Sequence, residues 1–148
     1  MRLMLPLLSL VWTVGQAQTV EPGIPAWADS ALVAAGLGSR FDLTSSVGPT
    51  VGWGDFDGDG LLDVAVGIVD QGGRRRGIAI VHRMDESVHI VGAGQPVGDG
   101  TDDLARETTW SVARLRSHRD GIRVVTAWHG SGWLVWDGRS YAWLADSR

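Results

Sequence analysis

From Trp53 to Gly67 the sequence reads Trp-Gly-Asp-Phe-Asp-Gly-Asp-Gly-Leu-Leu-Asp-Val-Ala-Val-Gly. No other stretch limits the fold so tightly. An acidic, glycine-rich loop is flanked by β-branched apolar runs, so the chain must reverse here between two strands. Asp stands at loop positions 1, 3, 5 and 9, with Gly at 4 and 6. A turn that gathers such carboxylates works against their repulsion. Each like-charge pair at ~4 Å costs about 1 kcal/mol in water and about 4 kcal/mol at an effective dielectric of 20. A hard cation at the centre reverses the sign of that sum.

Calcium takes six to eight oxygens at about 2.3–2.6 Å, and alternate residues of a tight loop can aim inward at it. The spacing assigns side-chain oxygens to Asp55, Asp57, Asp59 and Asp63 and a backbone carbonyl to Leu61, with water completing the shell. Magnesium fits less well, because it demands strict octahedral geometry and keeps its waters. A plain Asp/Gly surface turn is the alternative, but four Asp at this spacing are uncommon in such turns. The likeness to an EF-hand loop stops after its first nine positions. Position 12, where that loop has a bidentate Glu, is Val66, and the residues from Val64 to Val69 continue as a strand.

Residues Val51–Gly67 resemble the FG-GAP / VCBS-type repeat found in integrin α-subunit propellers and in exported bacterial proteins. The resemblance implies a β-blade whose hairpin loop holds calcium through Asp55, Asp57, Asp59, Leu61 and Asp63. It weakens toward Gly92 and covers at most about a third of the chain. The GAP element is reduced to Val66-Gly67-Ile68, and 148 residues are too few to close a propeller. An incomplete echo, Gly98-Asp99-Gly100-Thr101-Asp102-Asp103-Leu104-Ala105, lacks the full Asp spacing and reads as a loop, with a second weak ion site as the alternative.

The N-terminus places one Arg before an apolar run of roughly ten to twelve residues, followed by Gly15 and Ala17. That is the layout of a secretory signal peptide over residues 1–17, with cleavage after Ala17. The run is shorter than the ~20 residues a membrane-spanning helix needs. No Cys follows it, which excludes a lipoprotein anchor. The expected location is secreted or periplasmic, with one domain over residues 18–148 and no transmembrane span in the mature chain. An exported chain without Cys must rely on its core or on a metal, since disulfides are excluded. All 13 basic residues are Arg, so a lysine Schiff base and a P-loop are excluded as well. Net charge −4 and a pI near 5.4 argue against nucleic acid as a partner.

Pro25 opens a helix expected to run to about Ala35, with Gly36 as its cap. Beyond Gly38 the texture is β. Strands are expected at Val51–Phe56, Leu62–Val69, Gly77–Arg83, Ser87–Gly92, Thr108–Leu115, Gly121–Trp128, Ser131–Trp136 and Arg139–Leu144. Tight loops between them favour an antiparallel meander, since parallel strands need long crossovers. The expected class is therefore mainly β, with about eight short strands in a blade-like meander and one N-terminal helix. The calcium loop lies within about 47–92 and a Trp-rich β region within about 108–146.

In that second region Asp137-Gly138 signals a two-residue hairpin turn. Leu134 and Trp136 then share a face with Tyr141 and Trp143, while Trp133 and Val135 face the other way with Ala142 and Leu144. Core packing is the first expectation for these aromatics. The second is a binding surface of Trp133, Trp136, Tyr141 and Trp143 for a protein or glycan partner. Arg74-Arg75-Arg76 reads as a solvated hairpin tip. His82, His89, His118 and His129 lack metal-ligand spacing. Ser131 lies in a turn-like Gly-Ser-Gly without the GxSxG pattern, and nothing singles out Asp102, Asp103 or Glu107 as a catalytic pair. The sequence thus points to an exported, non-catalytic binding protein with a structural calcium ion. A secreted or periplasmic hydrolase or inhibitor accessory, acting on glycan through the Trp-rich strands, is the alternative.

Overall fold

The computed structural model describes residues 23–97, 102–104, 108–126 and 130–146. The expected signal peptide, residues 98–101 of the second acidic stretch, Glu107, Trp128 and His129 lie outside the described residues. Helix α1 spans Ala26–Ala34. Pro25 stays extended at its N-cap, and Gly36 closes the far end at φ 73°, a left-handed conformation that costs glycine little. Among the described residues, no helix is long and apolar enough to cross a membrane.

Among the described residues nine strands follow, all antiparallel. They are β1 (Phe41–Leu43), β2 (Val51–Gly54), β3 (Asp63–Asp70), β4 (Arg76–Val81), β5 (Val88–Gly92), β6 (Thr109–Arg114), β7 (Asp120–Val125), β8 (Ser131–Trp136) and β9 (Tyr141–Ala145). The mainly β, antiparallel class expected from sequence is the observed one, but the meander is broken into two sheets. The first runs β3–β4–β5, and β1 and β2 share the free edge of β3; the second is β6–β7–β8–β9. The break falls at the glycine- and proline-bearing stretch between Ala93 and Thr108.

The extra strand, β1, pairs Phe41–Leu43 with Ile68–Asp70, while β2 pairs with Asp63–Val66. Between them the chain loops out over Gly67. Thr44 N–H donates to the Gly67 carbonyl at 2.9 Å, and Gly67 N–H donates to the Thr50 carbonyl at 3.0 Å. A Cβ on Gly67 would stand 2.4 Å from the Thr44 carbonyl oxygen, so only glycine fits there. The outlooped segment drives Val47 into the core, where its carbonyl accepts from Trp110 N–H of the second sheet at 2.9 Å. β1 has no period of its own to betray it; it exists because this loop returns the chain to the same edge.

The molecule is layered as helix, first sheet, second sheet. Period-2 alternation sorts β3 and β4 onto two apolar faces. Val64, Val66, Ile68, Ala79 and Val81 pack under α1 with Ala28, Ala31 and Leu32. Ala65, Ile78 and Ile80 face Trp110, Ile122, Val124 and Leu134 of the second sheet. Each of the large aliphatic side chains so buried contributes about 1.5–3 kcal/mol. Gly52 and Gly54 let the sheets close up, since a Cβ on either would come within 3.0 Å of Val112.

The last hairpin departs from its expected turn. Trp136 pairs with Tyr141, leaving a four-residue loop Asp137–Ser140 in place of a two-residue turn. The Asp137 carboxylate explains it, accepting from Arg139 and Ser140 N–H at 2.8 Å each. The shift is by two residues, so each side chain keeps its expected face.

Candidate metal centre

The acidic loop joins β2 to β3 at the seam between the two sheets. Gly58 and Gly60 take φ of 82° and 88°, which folds the loop back on itself. One carboxylate oxygen each from Asp55, Asp57 and Asp63 lies within 4.8 Å of the others. Across a calcium shell with 2.3–2.6 Å bonds, opposed ligand oxygens stand about 4.6–5.2 Å apart. The three groups could therefore hold one metal ion, through hard oxygen donors.

Each member of the triad is held differently. Asp55 accepts N–H bonds from Gly58 at 2.8 Å and Gly60 at 3.2 Å, one on each oxygen. Asp57 accepts from Asp59 N–H at 3.0 Å. Asp63 is fully buried and closes the loop. Its Oδ2 accepts from Phe56 N–H at 2.8 Å, and its Oδ1 accepts from Arg83 N–H, just beyond β4, at 2.8 Å. A carboxylate offers about four lone-pair sites, so all three keep acceptor capacity for an ion. Burial pushes the Asp63 pKa up; the two N–H donors work against that rise, and the neighbouring Asp57 charge adds to it. The same oxygens that resist ionisation thus stand where a cation would restore the charged form.

Asp59 and the Leu61 carbonyl were expected to complete the set. Asp59 is exposed and not one of the three converging groups; its Oδ1 accepts from Leu61 N–H at 2.7 Å. Of the second acidic stretch, Asp102 pairs with Arg75 at 3.3 Å and Asp103 accepts from Arg76 N–H at 2.6 Å. Arg74 and Arg75 are exposed as expected, but Arg76 is not part of a solvated tip. It is buried, with Nε donating to Ser46 Oγ at 2.9 Å.

Residues of both sheets that carried no local signal also reach the loop. Asp120 Oδ2 accepts from Asp55 N–H at 2.9 Å, and Asp120 N–H donates to the Asp55 carbonyl at 2.8 Å. Arg114 Nε stands 3.0 Å from the other Asp120 oxygen. His82 is buried against the opposite side of the loop, with Nδ1 3.8 Å from Asp57 Oδ2 and Nε2 2.7 Å from the Tyr141 hydroxyl. Burial, then the charges of Asp63 and Asp57, holds the Tyr141 phenol protonated far above its ordinary range. The protonated phenol can therefore share a hydrogen bond with the His82 ring. Trp136 and His89 pack on His82, with ring centroids 4.6 and 4.7 Å away. Asp120 is separated from Asp55 by 65 residues, and no spacing rule reaches that far.

The remaining aromatics divide by face. Tyr141 and Trp143 are partly buried against the inter-sheet core beside Leu134. Trp133 lies on the outer face beneath Arg123, whose guanidinium carbon is 5.3 Å from the ring centroid. Trp133, Trp136, Tyr141 and Trp143 therefore do not form one continuous row. The chain matches no family model, no curated protein and no solved structure.

Proposed function

We propose that this chain is an exported, non-catalytic binding protein of FG-GAP/VCBS type, in which the Asp55–Asp63 loop holds one structural Ca²⁺. The observation that carries this reading is the convergence of the Asp55, Asp57 and Asp63 oxygens within 4.8 Å of one another. Asp55, Asp57 and Asp63 would hold the ion directly, with Asp59, the Leu61 carbonyl and water filling the shell. The bound ion supplies charge, which offsets the repulsion within the loop. Outside a cell, calcium is the hard cation at hand, and the N-terminal segment has the composition of an export signal.

At free calcium 100 times the dissociation constant, linkage adds about 2.7 kcal/mol to stability. Differential scanning calorimetry of the purified protein, in millimolar calcium and again in chelator, tests this directly. Calcium should raise the melting temperature of the unmodified protein, and Asp57→Ala should abolish most of that rise. Equal melting temperatures in the two buffers would sink the calcium reading. The outer face of the second sheet, with Trp133 and the exposed Leu144, supports a role in holding a protein or glycan partner. Retention on immobilised glycans or proteins, without turnover of them, is the outcome that a binding role requires.

A further inference from the structure

We infer that Asp120 is a positioning residue for the ion loop, and that ion occupancy is coupled through it to the docking of the second sheet on the first. The inference rests on the calcium reading above and goes beyond it. Asp55 opens the loop, and its backbone is gripped on both sides by one residue of β7. Its N–H donates to Asp120 Oδ2 at 2.9 Å, and its carbonyl accepts from Asp120 N–H at 2.8 Å. Asp120 is itself fixed, since its second oxygen is 3.0 Å from Arg114 Nε of β6 and its side chain is only 12% exposed. A Cβ on Gly54, the residue before the loop, would stand 2.9 Å from the Asp120 Cβ, so the two backbones meet without room to spare.

A second bridge enters from β9. The Tyr141 hydroxyl is 2.7 Å from His82 Nε2, and His82 Nδ1 faces Asp57 Oδ2 at 3.8 Å. The second sheet therefore reaches the loop at two places, directly at the Asp55 backbone from β7 and by way of His82 beside Asp57 from β9. A docked second sheet leaves the start of the loop at Asp55 already fixed, so less order has to be created when the ion arrives. Linkage is reciprocal: whatever factor docking adds to ion affinity, the ion adds to docking.

The test uses the full chain, with calcium chloride as the titrant in calorimetry, on the unmodified protein, Asp120→Asn and Asp120→Ala. The Asn variant keeps an oxygen that accepts the Asp55 N–H but has no charge; the Ala variant has neither. Loss of an outer partner of a metal ligand typically weakens binding 10–100-fold. Asp120→Ala should weaken calcium binding by about tenfold or more, whereas Asp120→Asn should retain affinity far closer to that of the unmodified protein. Equal weakening by the two variants would show that only the Asp120 charge matters, and unchanged affinity in both would show no coupling; either overturns the inference. Hydrogen exchange on the unmodified protein keeps the test open if Asp120→Ala fails to fold. Calcium should slow exchange across β6 and β7 as well as in the loop, and protection confined to residues 55–63 would overturn the inference. No calcium uptake by the unmodified protein would overturn the calcium reading itself, a result distinct from all of these.

Discussion

The two sheets are built of similar short antiparallel strands but meet water differently. In the first sheet, β4 is buried along its whole length and β3 over its first six residues, because α1 covers one face and the second sheet the other. In the second sheet the described residues cover only one face. β8 alternates over its first four residues, with Gly132 and Leu134 buried and Ser131 and Trp133 half-exposed, and Leu144 on β9 is 60% exposed. The difference is written in the strands themselves. β3 and β4 read as near-continuous apolar runs, as strands covered on both faces do, whereas β6 and β7 interleave Ser111, Arg114 and Arg123 with apolar residues. Stability is concentrated in the doubly covered sheet, and the second sheet is held through one interface and the loop at its seam.

The sharpest way to break this comparison is a matched pair of truncations. Ile80 is fully buried between the sheets, whereas Trp133 lies on the outer face. Ile80→Ala should cost about 2–5 kcal/mol in denaturant unfolding, as core truncations of this kind do. Trp133→Ala should cost about 1 kcal/mol or less, mainly its contact with Arg123. Similar losses for the two would mean that the outer face is covered after all.

Within the loop, next in size, Asp63 and Asp57 should part company. Both Asp63 oxygens accept backbone N–H bonds, so Asp63→Asn must turn an amide NH₂ toward one of those donors. An unsatisfied buried donor costs about 1–3 kcal/mol, and this loss should appear in chelator as well as in calcium. Asp57→Asn keeps an oxygen for the Asp59 N–H and relieves repulsion with Asp63. It should be neutral or slightly stabilising in chelator and destabilising only in calcium. Chemical denaturation in the two buffers separates the cases, and parallel behaviour of the two variants would remove the distinction between a loop-closing carboxylate and an ion-facing one.

How far these features could be read from sequence follows the range of the forces involved. Strands that alternate or run apolar, the helix between Pro25 and Gly36, and the acidic loop are set by neighbours a few residues away, and they stand where local patterning puts them. β1 and the inward thrust of Val47 depend on the chain returning across Gly67, which no local period announces. At the candidate site, Asp55, Asp57 and Asp63 were legible from their spacing. Asp59 shares that spacing, and its Oδ1 accepts from Leu61 N–H, a local bond that Asp makes readily in a turn. Asp120, His82 and Tyr141 reach the loop only through tertiary contact, so nothing in their own segments marks them.

A smaller effect probes the seam through pH. His89 lies between the sheets, with Trp136 and Tyr141 from β8 and β9 against its ring at 4.6 and 5.8 Å. Burial first, then the neighbouring His82 charge, lowers its pKa, with Asp85 opposing. The unfolded chain then binds the proton more readily than the fold. The His89 contribution to stability is complete above the ordinary histidine value near 6.5 and falls away as pH drops below it. Asp63 acts in the opposite sense in chelator. Its raised pKa means that stability present below 3.8 is lost as pH climbs above that value. Melting curves in chelator between about pH 5 and 8, for the unmodified protein and His89→Gln, isolate the histidine. The difference between the two should shrink on acidification below pH 6.5, and a difference independent of pH would remove His89 from the account.

The smallest effect is the one that most sharpens the contrast between the sheets. Leu144 pairs with Trp133 across β8 and β9 on the outer face and is 60% exposed. In an isolated chain, Leu144→Thr removes little buried area and leaves a good strand former, so stability should change by no more than about 0.5 kcal/mol. Solubility should rise, because the change breaks an apolar pair that is exposed among the described residues. A loss well above that size in dilute solution, diminishing on further dilution, would mean that a second molecule shields Leu144. The second sheet would then be doubly covered like the first, with its outer layer supplied by another chain instead of by a helix.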